Sequence, residues 1–141
     1  MAEAVATLSL VANILQMLDY GRKFVGAAWG IWRGSADDKH SGSFIDMERL
    51  CADLKSSLDG LNDQPPGCDE EIVRLANECT KISDTILDSL GGLALTGSRK
   101  KREAASAAFK RLWNKSDIEG LGARLEGFRD QLMLRLMLSL R

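Results

Sequence analysis

Proline is nearly missing from this chain. Its 141 residues hold two, Pro65 and Pro66, side by side. Proline removes a helical N–H and clashes with the preceding turn, so its scarcity permits long helices. Histidine is scarcer still. His40 stands alone in the polar run GSADDKHSG at 34–42, and it reads as a solvated loop residue with no partner to make it a base. The cysteines, Cys51, Cys68 and Cys79, are odd in number and show no C-x-x-C. That excludes a fully paired disulfide framework and a zinc-finger spacing, and points to free buried thiols in a reducing compartment. A basic stretch ahead of the first apolar run is also lacking. Glu3 stands there instead, which argues against a secretory signal and for an intracellular chain.

Catalytic patterns are missing too. Gly92-x-x-x-x-Gly97-Ser98 looks like a phosphate loop without its lysine. Such a loop needs a preceding strand and a lysine after its second glycine. Here a helical pattern precedes it and Arg99 follows Ser98. Asp37-Asp38 and Glu70-Glu71 read as solvated surface and as a helix start. With no nucleophile motif and no metal spacing, we expect no enzyme, no cofactor and no metal. A net charge of −1 predicts no nucleic-acid partner by itself. The charge is unevenly spread: about +1 over 1–33, about −8 over 34–93, about +6 over 94–115 and none over 116–141.

What the chain does hold is apolar helical spacing. Hydrophobic residues make up 45% of it, too many for a disordered chain. The dominant stretch runs from Ala4 to Gly34, where only Asp19, Arg22, Lys23 and Arg33 carry charge. Leu8, Val11, Leu15 and Leu18 fall at helical spacing, and Leu10, Ile14 and Met17 widen the stripe. A stripe this wide predicts a helix buried on more than one side, over about 2–32. Trp29 lies near its end, and Gly26-x-x-x-Gly30-x-x-x-Gly34 puts three glycines in register, a strip that admits a second backbone. Two readings follow. The helix is a bundle core whose glycines admit a neighbour, or it leaves the bundle for a membrane. Each uncharged run falls short of the roughly 20 residues that span a bilayer.

Four further helices are predicted. One spans 44–61 on Phe44, Met47, Leu50, Leu54, Leu58 and Leu61. The next spans 69–93 on Ile72, Leu75, Cys79, Ile82, Ile86, Leu90 and Leu93. A fourth over 101–114 carries Ala105, Ala108, Phe109, Leu112 and Trp113. The fifth starts at a capping box, Ser116-x-x-Glu119, and uses Ile118, Leu121, Leu125, Phe128, Leu132 and Leu136. No segment alternates with strand period. The expected fold is a single all-α domain over 1–141, an antiparallel bundle of four to five helices. The remaining chemical signal is Arg99-Lys100-Lys101-Arg102, followed by Lys110, Arg111 and Lys115. Such a cluster attracts anionic lipid by about 1 kcal/mol per basic residue, and Trp113 would serve as an interfacial anchor. The competing reading is a solvated basic turn that faces the acidic second and third helices.

Two stretches resemble a known family. ATLSLVANILQMLDYGRKFV at 6–25 resembles the opening of many fungal NOD-like receptors, the STAND class of signal-transducing NTPases. AFKRLWNKSDIE at 108–119, continued through Arg124-Leu-Glu, Phe128-Arg-Asp-Gln-Leu and Leu138-Ser-Leu-Arg141, resembles the end of the same N-terminal domain. The resemblance implies a HeLo-like helical domain ahead of an NTPase. Such domains are similar to the bundles of plant coiled-coil immune receptors and of the necroptosis pseudokinase, which oligomerise and attack the plasma membrane. It implies a cytoplasmic effector of programmed cell death and innate immunity that relocates to that membrane on activation. Its partners would be copies of itself, anionic lipid and a downstream NTPase domain. Leu8, Leu15, Leu18, Gly26, Trp29, Gly30 and Gly34 would form the membrane and oligomer helix, where a glycine zipper matters in some members. Asp19, Arg22 and Lys23 depart from an uninterrupted apolar helix. The alternative is a non-lytic interaction or oligomerisation module of such a receptor.

Overall fold

Apolar residues three and four apart fold the described residues into five helices: α1 (Ala2–Arg33), α2 (His40–Asn62), α3 (Glu70–Gly91), α4 (Arg99–Leu112) and α5 (Lys115–Ser139). The computed structural model describes residues 2–33, 40–62, 64, 67–91 and 99–139, and among them the side chains outside 2–4, 6, 40–46, 99–102 and 139. There is no strand among the described residues. The architecture is the expected all-α bundle. His40 opens α2 instead of sitting in a loop, so the first connection is shorter than the polar composition predicts.

α1 is the element that the others share. It packs against α2, α3 and α5, while α2 also packs on α3 and α3 on α5. A Cβ at Gly21 would meet Leu125, and one at Gly122 would meet Val25, so α1 and α5 run antiparallel. Asn13 donates from Nδ2 to the Gly60 carbonyl at 3.1 Å, and α2 starts at His40 soon after α1 ends at Arg33, so the two run antiparallel. Gly60 lies in the last turn of α2, where carbonyls lack helical partners, so this bond satisfies an otherwise orphaned acceptor. α4 joins through rings. Phe24 lies 6.2 Å from Phe109 and 5.0 Å from Trp113, centroid to centroid, the second pair edge-on.

Local chemistry sets the helix boundaries. Asp69 caps α3, its Oδ1 accepting from the N–H groups of Glu71 and Ile72. The turn before it contains Gly67 at φ 88°, a conformation suited to glycine. α5 starts earlier than Ser116. Asn114 accepts from the Asp117 N–H at 2.8 Å, and Asp117 accepts from the Asn114 N–H at 3.2 Å. The reciprocal box is therefore Asn114-x-x-Asp117. The expected Ser116-x-x-Glu119 box lies two residues too late.

The buried side of α1 consists of Leu10, Val11, Ile14, Met17, Leu18, Phe24, Ala28 and Ile31. Leu8 and Leu15, expected in the same stripe, are 57% and 38% exposed. α1 is apolar around much of its circumference, and its neighbours cover only one side. α3 buries Ile72, Leu75, Cys79, Ile82, Ile86 and Leu90 as the spacing predicts. α2 buries Met47, Leu50, Leu54, Ser57 and Leu61. Its strict 3-4-3-4 register selects Ser57, and Leu58 is left half-buried. Leu125 and Phe128 are core, as expected.

Two buried hydroxyls, Ser57 Oγ and Ser83 Oγ, have no hydrogen-bond partner. An unsatisfied buried polar group costs about 1–3 kcal/mol. Thermal melts should therefore show Ser83→Ala neutral to stabilising by up to about 1 kcal/mol, and Ile86→Ala destabilising by about 2–5 kcal/mol. Leu58→Ala should fall clearly below Ile86→Ala. An equal loss for the two leucine and isoleucine variants would contradict the register of α2.

Candidate functional site

Two surfaces stand out, one at each end of the bundle. At the first end lie seven of the eight large hydrophobic residues exposed among the described ones. Val5, Leu8 and Leu15 come from the first half of α1, and Met133, Leu134, Met137 and Leu138 from the last turns of α5. The antiparallel packing of α1 and α5 brings these two sets to the same end. A charged seam closes α5 onto α3 there. Arg135 donates to Asp69 from both Nε and Nη2, at 2.9 to 3.1 Å. Further along, Arg74 donates to Gln131 and Arg124 to Glu78. The Arg135 guanidinium holds the Asp69 carboxyl below the usual carboxylate range, helped by the capping N–H groups.

The second end gathers aromatic and basic groups. Trp32 donates from its indole N–H to the Trp113 carbonyl at 2.8 Å. Lys110 and Lys115 hold their Nζ atoms 5.4 and 5.5 Å from the Trp32 ring centroid. These are cation–π distances. Exposed Arg33 and Arg111 belong to the same end. Trp113 itself does not face solvent. The residue is 8% exposed, and its ring packs on Phe24 and donates to Ser89 Oγ at 2.8 Å. The expected lipid anchor is thus a core residue, and Trp32 is the half-buried ring beside the lysines. The side chains of Arg99, Lys100, Lys101 and Arg102 lie outside the described ones, although their backbone forms the first turn of α4.

The glycines divide by environment. Gly26 is exposed, and a Cβ there would meet nothing within 4 Å. Gly30 and Trp29 are half-buried, Leu18 is buried, and Gly34 lies outside the described residues, as does the Gly92–Ser98 segment. The close approach inside the bundle occurs at Gly21 instead, where a Cβ would sit 2.8 Å from Leu125 Cδ1. Sequence reasoning missed Gly21 because it belongs to no glycine repeat. Its signal was its place in the buried register, three residues from both Leu18 and Phe24.

A groove of about 420 Å³ runs between α3, the end of α4 and α5, with Ile82, Trp113 and Leu121 in its lining and Lys81 and Arg124 along it. Both cations are engaged by Glu78, at 3.4 and 3.0 Å. Cys79 is buried, Cys51 and Cys68 are half-buried, and all three are free. Burial pushes the Cys79 thiol up to about 12, so it is a packing group and not a nucleophile. No cluster of metal-ligating residues occurs among the described ones. No helix among them is long and apolar enough to cross a membrane. Comparisons with protein-family models, curated proteins and solved structures find no match.

Two measurements test this geometry. Gly21→Leu should lose stability by overpacking, about 1–3 kcal/mol or more, while Gly26→Ala should gain up to about 1 kcal/mol. Asp69→Asn keeps a capping oxygen but loses the ion pair. The native carboxyl titrates below its unfolded value of about 3.9, so the folded state binds fewer protons there. The parent should exceed Asp69→Asn in full above that value. Its advantage should vanish as pH falls through the depressed native one. An advantage that does not shrink as the pH is lowered from neutral would contradict the assignment.

Proposed function

We propose that this chain is a signalling effector domain that self-assembles and acts at an anionic membrane through α1. The observation that carries this is the apolar outer face of α1. Leu8 and Leu15 stay exposed on α1, beside the exposed last turns of α5, while α3 buries its whole apolar stripe. Exposed apolar groups gathered at one place mark interaction surfaces. The HeLo-like resemblance at 6–25 and 108–141 supports the same reading and gives it a context of cell-death signalling in fungal NOD-like receptors.

The two ends divide the work. The basic end, with Lys110, Arg111 and Lys115, supplies attraction to lipid phosphate, about 1 kcal/mol per residue near the surface, and the Arg99–Arg102 run at the start of α4 adds to it. The apolar end supplies contacts between copies or with acyl chains. A helix of 32 residues is about 48 Å long at 1.5 Å per residue, so one flat membrane does not touch both ends of an upright bundle. Since no described helix crosses a bilayer alone, permeabilisation on this reading belongs to an assembly. The groove along α3 and α5 favours a second reading, a module that binds another protein without lysis.

Vesicle experiments separate them. Replacing Arg99, Lys100, Lys101 and Arg102 by glutamine should weaken sedimentation with phosphatidylserine vesicles. The parent's binding should fall with salt, as the Debye length drops to about 3 Å at 1 M. Leu8→Asp should melt within about 0.5 kcal/mol of the parent, because the position is exposed, yet lose dye release from the same vesicles. Equal vesicle binding by the glutamine variant and the parent would refute the basic end. No dye release by the parent would leave the non-lytic module.

A further inference from the structure

α1 carries a second periodic pattern on the side turned away from the core. Leu8, Ala12, Leu15, Asp19, Arg22, Gly26, Trp29 and Arg33 follow one another in alternating steps of four and three. All are exposed except Trp29, which is half-buried against the edge of the core. This spacing is that of a coiled-coil seam, here without a partner inside the bundle. Its content is self-complementary. When the seam is laid antiparallel on a second copy of itself about Asp19 and Arg22, each Asp19 faces the other chain's Arg22. Leu15 then faces Gly26, Ala12 faces Trp29, and Leu8 meets the aliphatic stem of Arg33. Every large residue meets a small or yielding one, and the two central charges, Asp19 and Arg22, meet their opposites. A two-fold axis repeats all four pairings, as an isologous dimer requires.

Other alignments fail on the same residues. A parallel seam in register sets Asp19 against Asp19 and Arg22 against Arg22, and like charges across an interface repel. An antiparallel seam moved one heptad in one direction sets Asp19 against Leu15, and in the other sets it against Trp29. The space needed is present. A Cβ at Gly26 would meet nothing within 4 Å, which leaves room for Leu15 of a second copy. The charges are available as well. Asp19 holds only an exposed pair with Lys23, at 3.3 Å and with side chains 60% and 64% exposed. Such a pair is easily exchanged, since exposed ion pairs are weak.

We propose that the outer face of α1 is the self-association surface, with two copies paired antiparallel in the register that joins Asp19 to Arg22. This rests on the self-assembly half of the reading above and not on its membrane half. It also gives Gly26 a role that the close packing at Gly21 does not cover.

Charge exchange tests the register. Asp19→Arg makes both seam charges positive, and Arg22→Asp makes both negative. In sedimentation velocity the parent should form a dimer. Each single variant should dissociate, with affinity reduced about tenfold or more, the effect of 1.4 kcal/mol. An equimolar mixture of the two should restore a one-to-one dimer, and the double exchange Asp19→Arg/Arg22→Asp should restore the homodimer. Gly26→Leu should lose dimerisation while keeping its melt. If both single variants associate like the parent, this register is overturned and assembly by another face stands. If the parent stays monomeric at submillimolar concentration and on phosphatidylserine vesicles, the register and the assembly reading fall together, while dye release still judges the membrane half. Restoration by the mixture also shows that both variants remain folded.

Discussion

Burial of one side of α1 is the constraint on which the rest of the bundle depends. Eight side chains from Leu10 to Ile31 are buried on this helix, and α2, α3 and α5 all pack against it. α4 is tied to it through Phe24. A buried leucine, isoleucine or phenylalanine contributes about 1.5–3 kcal/mol, so withdrawal of α1 would remove more than a domain's whole net stability of about 5–15 kcal/mol. A mechanism that begins by releasing α1 must replace that burial elsewhere. Use of its outer face meets no such cost, because Leu8, Leu15 and Gly26 are exposed while the core stays closed.

The same packing gives the molecule two unlike ends. α1 runs parallel to α3 and antiparallel to α2 and α5, so the start of α1 and the finish of α5 share one end. The finish of α1, the finish of α4 and the start of α5 share the other. Apolar side chains collect at the first and lysines around Trp32 at the second. An anionic surface would orient such a molecule before any apolar contact formed, since Coulomb attraction acts over a Debye length and hydrophobic burial only at contact.

Fold class, helix number and the α3 face were legible in the sequence because the patterns there were unambiguous. α3 sets Ile72, Leu75, Cys79, Ile82, Ile86 and Leu90 against charged neighbours, which leaves one possible inside. α1 offered no such contrast. Leucines surround it, and only the positions of its neighbours decide that Leu18 is core and Leu8 is not. In α2 a one-residue shift separates Ser57 from Leu58, and spacing favoured the residue that looked more apolar. Trp113 was misplaced because its basic surroundings in sequence are not its surroundings in space. Its ring turns inward to Phe24 and Ser89, while Lys110 and Lys115 close on Trp32.

The placement of the indoles has an optical consequence. Trp29 and Trp32 lie in the last two turns of α1, and Trp113 lies between α4 and α5, so all three occupy the basic end. Intrinsic fluorescence therefore watches half of the molecule. Loosening of α4, or an anion drawing Lys110 and Lys115 off the Trp32 ring, changes the emission directly. Fraying of α1 near Leu8, or contact made by Met133 and Met137, leaves it dark. The sole tyrosine, Tyr20, lies midway along α1, where its hydroxyl accepts from exposed Gln16, so it reports on the middle of that helix and not on either end.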